Sequence, residues 1–171
     1  METKRESESS SGSIIVGVGN TMMLDEGIGV RVVREMKKSG NYPSGFEIDE
    51  VGASSFNIIH LISSKNIAVL VDCAYMGEDS GVIRMFTPKE AESRKIRTGL
   101  SLHEGDLVQA VRLMEHTGVM PKWLYFFGIE PVEVAPGDRL SPLLDEKLDE
   151  YADFINENIL SVIKKIEDAD A

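Results

Sequence analysis

With 171 residues, 42% of them hydrophobic and 27% charged, the chain is long enough for one domain with a real core and short for two. Its 29 acidic residues against 18 basic ones give a formal net charge of -11, which excludes partners bound through phosphate neutralisation, nucleic acid and anionic membranes alike, and leaves a basic or metal-bearing protein. No apolar run reaches the ~20 residues of a bilayer span, no secretory signal is expected in the polar start of the chain, and the single cysteine, Cys73, fits a reducing, cytoplasmic setting.

Residues 1–12 are polar and rich in serine and glutamate; they are expected to be a disordered tail, with 13–171 forming one domain. Residues 14–18 predict a buried strand, and 28–38 predict an amphipathic helix ended by Gly40. Between them lies Gly17-Val18-Gly19-Asn20-Thr21-Met22-Met23-Leu24-Asp25-Glu26-Gly27-Ile28-Gly29. An acidic pair therefore sits on a glycine-bounded loop just past a strand and at a helix mouth, where open α/β sheets bind ligands. A phosphate loop presents bare amides to an anion. Asp25 and Glu26 would repel one, and they suit a cation or a proton transfer. Met22 stands where a dinucleotide fingerprint needs its third glycine, so that motif fails.

A strand is predicted at 46–51 and a helix at 55–63. Residues 67–71 are uniformly apolar, as in a central strand covered on both faces, and Asp72 and Cys73 follow. Further on come a strand at 82–87, a long loop at 88–102, a helix at 102–117 and a strand at 123–127. A proline-rich segment at 131–142 leads to a last helix at 143–166, whose Leu144, Leu148, Tyr151, Ile155, Ile159, Val162 and Ile166 mark one buried face. The alternation implies an α/β domain, a sheet with helices on both sides. Residues 73–81 are too few for a parallel crossover, which needs about a dozen. Strand four is therefore expected to run antiparallel in a mixed, mostly parallel sheet.

In that topology strands one and three bring Glu26 and Asp72 to the carboxyl edge of the sheet, and the third helix starts there with His103. Two carboxylates and an imidazole suit a divalent metal such as zinc or nickel. They suit acid–base work equally well. A helix amino end disfavours the imidazolium, which keeps His103 in its ligating form. Plainer readings stand beside these. Asp25 can cap the first helix, Glu26 can complement its dipole, Asp72 can form a turn, and Ser101-Leu102-His103-Glu104 reads as a capping box in which His103 is a bystander. Cys73 is either a nucleophile or a small buried hydrophobe. His60 and His116 carry no spacing signal, 77–81 reads as a solvated acidic turn at the crevice edge, and neither a Gly-x-Ser-x-Gly elbow nor a His-Glu-x-x-His motif is present.

Four elements carry a family resemblance. They are Gly17-Val18-Gly19-Asn20 followed after four residues by Asp25-Glu26-Gly27-Ile28-Gly29-Val30-Arg31-Val32-Val33; Val69-Leu70-Val71-Asp72-Cys73-Ala74; Ser101-Leu102-His103; and Phe127-Gly128-Ile129-Glu130-Pro131 with Leu140-Ser141-Pro142 after it. Over 13–166 the chain resembles the hydrogenase maturation proteases, endopeptidases that trim the large subunit of nickel–iron hydrogenases. The resemblance implies a three-layer α/β/α sandwich with a five-stranded mixed sheet. It implies that Glu26, Asp72 and His103 occupy the family's metal-binding positions, and that the substrate is a precursor already loaded with nickel. Two positions depart from the family pattern. Glu50-Val51-Gly52-Ala53-Ser54 stands where an Asp-Gly-Gly-Thr-like loop is usual, and after His103 the glycine comes at 105, with Asp106 in its ordinary place.

On these grounds the chain is expected to be an aspartyl-type processing endopeptidase. Asp25, Glu26, Asp72 and His103 are its catalytic residues, and Glu26, Asp72 and His103 contact nickel carried by the [NiFe] hydrogenase large-subunit precursor. It is expected to be a cytoplasmic monomer with no nucleic acid or membrane partner. Two rivals are a nickel checkpoint or assembly chaperone that uses the same crevice without cutting, and a hydrolase dependent on Cys73.

Overall fold

A computed structural model describes residues 12–52, 55–98 and 107–171. In chain order the elements are β1 (Ser13–Val18), a 3-10 turn (Leu24–Gly27), α1 (Ile28–Ser39), β2 (Phe46–Val51), α2 (Ser55–Ile62), β3 (Ile67–Tyr75), β4 (Ile83–Phe86), α3 (Pro88–Ser93), β5 (Arg97–Thr98), α4 (Leu107–Thr117), β6 (Trp123–Ile129), α5 (Pro142–Asp145) and α6 (Leu148–Asp170). No helix among the described residues is long and apolar enough to cross a membrane. Of the expected tail only Gly12 is described, and its carbonyl accepts from the Asn66 amide.

The main sheet has the order β2-β1-β3-β6-β4. The first four strands are parallel, and β4 is antiparallel to β6. The fourth strand thus runs against β3 as expected, yet its hydrogen bonds go to β6, which lies between them. The two residues of β5 pair antiparallel with Ala74 and Tyr75 at the end of β3.

Alternation along β3 feeds two cores. Ile67, Val69, Val71 and Cys73 face one side, where Ile28, Val32, Val33 and Met36 of α1 and Tyr151, Ile155 and Ile159 of α6 cover them. Ala68, Leu70 and Ala74 face the other, under Ile58 and Ile62 of α2, Ala91 of α3 and Val111 and Met114 of α4. This is the three-layer α/β/α arrangement. Each fully buried Ile or Val contributes about 2 kcal/mol through the surface it removes from water. Helix α1 stops at Gly40, which is left-handed (φ 70°) and donates its N–H to the Met36 carbonyl, a helix end that suits glycine.

Several boundaries differ from the sequence reading: β6 runs on to Ile129 and the last helix to Asp170. Strand β3 runs on to Tyr75 because β6 keeps pairing with it through Asp72↔Gly128 and Cys73↔Ile129. The expected loop at 88–102 begins with α3, built on a capping box: Thr87 accepts from the Glu90 N–H, the Glu90 carboxylate accepts from the Thr87 N–H, and Pro88 opens the helix. The last helix is broken at 146–147 into α5 and α6.

Candidate functional site

Among the described residues the buried polar side chains are Asp25, Glu26, Asp72 and Glu130, with exposures of 0, 1, 4 and 8%. All four are carboxylates: Asp25 and Glu26 follow β1, Glu130 follows β6, and Asp72 lies in the carboxyl-terminal half of β3. Burying an ionised carboxylate is costly unless hydrogen bonds or opposite charge offset it. The surroundings of each therefore show its task.

The register shows how the turn that carries Glu26 comes to lie against the strand that carries Asp72. Strand β1 pairs with β3 only as far as Gly17↔Val71. The 3-10 turn that carries Glu26 packs against β3. Two glycines allow the approach. Gly29, in the first turn of α1, lies so close to the sheet that a Cβ would be 2.0 Å from the Val71 carbonyl oxygen and 2.4 Å from that of Val18. Gly19 has φ +141°, and a Cβ there would lie 2.0 Å from the Glu26 carbonyl oxygen. The glycines bounding the acidic loop thus serve backbone contact, not anion binding.

Asp72 shares its face of β3 with Leu70 and Ala74, the side of α2, α3 and α4. Its Oδ1 accepts from the Cys73 N–H at 2.8 Å. Cys73 points the opposite way and is wholly buried among Ile15, Ile28 and Phe127. Burial, followed by the charges of Asp72, Glu26, Asp25 and Glu130, pushes its thiol far above the usual range. A cysteine wholly buried in the core under α1 and α6, away from Asp72, is out of reach of a substrate, which speaks against the hydrolase dependent on Cys73. The same field reaches Tyr75, whose hydroxyl is raised first by burial and then by Cys73, Glu26 and Glu130, against the lowering effect of Arg97 over its ring at 5.5 Å.

Asp25 and Glu130 are engaged by backbone amides. Asp25 Oδ2 accepts from the Val132 and Glu133 N–H groups at 2.9 and 3.0 Å and from Ser141 Oγ at 2.7 Å, while Oδ1 accepts from the Ser141 N–H at 2.7 Å. Glu130 Oε2 accepts from the Met76 and Glu78 N–H groups at 2.7 and 3.2 Å, which fastens the acidic 77–81 turn at the crevice edge. Glu130 belongs to the Phe127-Gly128-Ile129-Glu130-Pro131 element of the family resemblance, which implies no role for it. The signal available for it was an acid directly after an apolar strand, the same signal that singled out Asp72.

Beside this edge, between the ends of β1 and β2 and the flank of α1, lies a cleft of about 390 Å³, lined among others by Gly19, Asn20, Thr21, Arg34, Glu50 and Gly52. Arg34 donates to Glu50 through Nε at 2.8 Å and Nη2 at 2.6 Å. This pairing holds the Glu50 carboxyl below its ordinary value and raises Arg34. The acid at the departing family position is therefore paired with a cation.

His103 lies outside the described residues, as do Ser101, Leu102, Glu104, Gly105 and Asp106. Of the expected metal trio, Glu26 and Asp72 are described. Among the described residues no three His, Cys, Asp or Glu side chains are grouped to hold a metal. His60 and His116 are exposed.

Residues 30–158 match the family model described as hydrogenase maturation protease. The match includes Asp72 and His103 and begins four residues after Glu26. The hydrogenase 2 maturation protease of Escherichia coli (strain K12) is 23% identical over 136 residues, covering 80% of this chain and 83% of that protein. The hydrogenase expression/formation protein HupM of Azotobacter chroococcum is 25% identical over 126 residues, 74% of this chain and 60% of its own length. The chain spans about six-tenths of the length of the first curated relatives it matches. Among solved structures, the hydrogenase maturating endopeptidase HybD from Escherichia coli superposes with a TM-score of 0.70 at 21% identity, over 90% of this chain and 93% of that one. The two share a fold.

Proposed function

The chain belongs to the hydrogenase maturation protease family, and from that membership we propose that it is an endopeptidase removing the carboxyl-terminal extension of a nickel-loaded [NiFe] hydrogenase large-subunit precursor. The observation that carries the reading is the burial of both Glu26 and Asp72, the one in the turn that packs against β3 and the other in β3 itself. Two anionic side chains held away from water gain strongly from a divalent cation. Carboxylate oxygens with an imidazole suit a borderline ion such as nickel. In this reading the ion belongs to the substrate, and Glu26, Asp72 and His103 contact it. A precursor without nickel would then meet an acidic crevice with nothing to offset it, which is a physical basis for cutting loaded precursor alone.

Hydrolysis adds water across the scissile amide. The attacking water loses a proton to a base, its oxygen stays with the new carboxyl terminus, and the leaving amine takes a proton. Glu26 and Asp72 are the candidate bases, and this assignment underlies the aspartyl-type reading. The chain acts in this reading as a cytoplasmic monomer, in keeping with a lone cysteine held as a thiol.

The test is incubation of purified candidate precursors with the chain, with and without nickel, followed by intact mass measurement. Loss of a carboxyl-terminal peptide only from loaded precursor is the expected result. Glu26→Gln and His103→Ala should each slow cleavage by about 100-fold or more with the circular dichroism of the native fold retained. Full activity in both rules out the site, and a stable complex of intact partners would identify a nickel checkpoint instead.

A further inference from the structure

We propose that Asp25 is a positioning residue, clamping the turn that carries Glu26 to the 131–141 segment so that Glu26 is held in register with Asp72. The inference rests on the endopeptidase reading and assigns Asp25 a task other than contact with reacting atoms. Four donors converge on the Asp25 carboxylate, all from that one segment: the amides of Val132, Glu133 and Ser141 and the Ser141 hydroxyl. The backbone adds to the clamp. Leu24 N–H donates to the Gly137 carbonyl, Gly137 N–H to that of Met22, and Asp25 N–H to that of Glu133.

The far end of the same segment is fastened as well. Glu130 takes the Met76 and Glu78 amides, Gly81 N–H donates to the Glu130 carbonyl, and Ser80 Oγ donates to that of Pro131. Residues 130–141 therefore form a strap across the carboxyl edge, tied through 130 and 131 to the loop after β3 and through 132, 133, 137 and 141 to the turn before α1. Glu26 directly follows Asp25 in a single 3-10 turn, so slack in the clamp passes straight to it. A misplacement of about 1 Å in a reacting group costs on the order of 100-fold in rate.

A carboxylate is needed because only acceptors can face four donors. Asp25→Asn keeps the volume and turns an NH2 group toward N–H donors, and Ser141→Ala removes one donor of the four. With the nickel-loaded precursor that the wild-type chain cuts, Asp25→Asn should lower kcat about 10- to 100-fold, with KM within about twofold. Ser141→Ala should show a smaller fall, and Ser141→Thr, which keeps the hydroxyl, should restore it. The pH profile of kcat should keep its shape in Asp25→Asn and lose only amplitude.

Wild-type kcat in Asp25→Asn overturns the proposal. Disappearance of the acid limb of the profile also overturns it, by making Asp25 the base. If Asp25→Asn does not fold, wild-type kcat in Ser141→Ala does the same. Glu26→Gln separates the two readings, since full activity there sinks the endopeptidase site whatever Asp25 does. If the wild-type chain cuts no precursor, amide exchange decides. Faster exchange over residues 22–28 in Asp25→Asn or Ser141→Ala supports the clamp, and unchanged protection in both overturns it.

Discussion

Two single side chains show how burial sets chemistry in this molecule. Cys73 is closed off on the side of β3 away from Asp72, and its thiol is raised by burial and by four nearby carboxylates. A thiol-alkylating reagent at neutral pH should leave the native chain unmodified and add one label once it is unfolded. Native labelling, read by intact mass, would contradict the burial. Tyr151, also wholly buried, donates its hydroxyl to the Gly81 carbonyl at 2.8 Å. Burial pushes this hydroxyl from its ordinary 10.0 up to about 12. The native chain therefore keeps a proton that the unfolded chain gives up between those values. The stability this contributes is whole below pH 10 and is lost as pH rises through about 12. Tyr151→Phe should cost about 1–3 kcal/mol at neutral pH by leaving a buried carbonyl without this donor. It should also flatten the alkaline decline of the melting temperature, measured from pH 9 to 12.

At the scale of elements, the contact between α1 and the strands fixes the site. Because Gly29 sits against the Val71 and Val18 carbonyls, Gly29→Ala must push the helix off the sheet or fail to fold. A loss of at least about 3 kcal/mol is expected in urea unfolding. The strands and helices that position Glu26 were legible from hydrophobic period alone, since 14–18, 28–38 and 46–51 carry clean patterns. So was the placing of the turn that carries Glu26 against β3, which follows from parallel strands ending at one edge. The end of β3 was not, because Asp72 reads locally as a turn and is kept in the strand by pairing with Gly128. The Thr87-Pro88-Lys89-Glu90 cap of α3 was present in the sequence and is readable by the capping-box rule. The task of Asp25 could not be read there, since its partners lie 107 to 116 residues away.

Across the whole molecule the sheet separates two cores, one under α1 and α6 and the other under α2, α3 and α4. The acidic residues are not spread evenly between surface and interior. Most of the described acidic residues lie at the surface, where repulsion is weak and screened, while the four buried among them lie at one rim. This division leaves the chain very little freedom in where β3 can offer its acid. One step along the strand, in either direction, would bring the group out beneath α1 and α6, in oil. Two steps back is Leu70, deep in the opposite core. Two steps on is Ala74, which Gly128 already approaches so nearly that a methyl on the glycine would come within 2.6 Å of it. Of positions 70 to 74, position 72 is thus the one at which this strand can offer a charge to whatever docks at the rim.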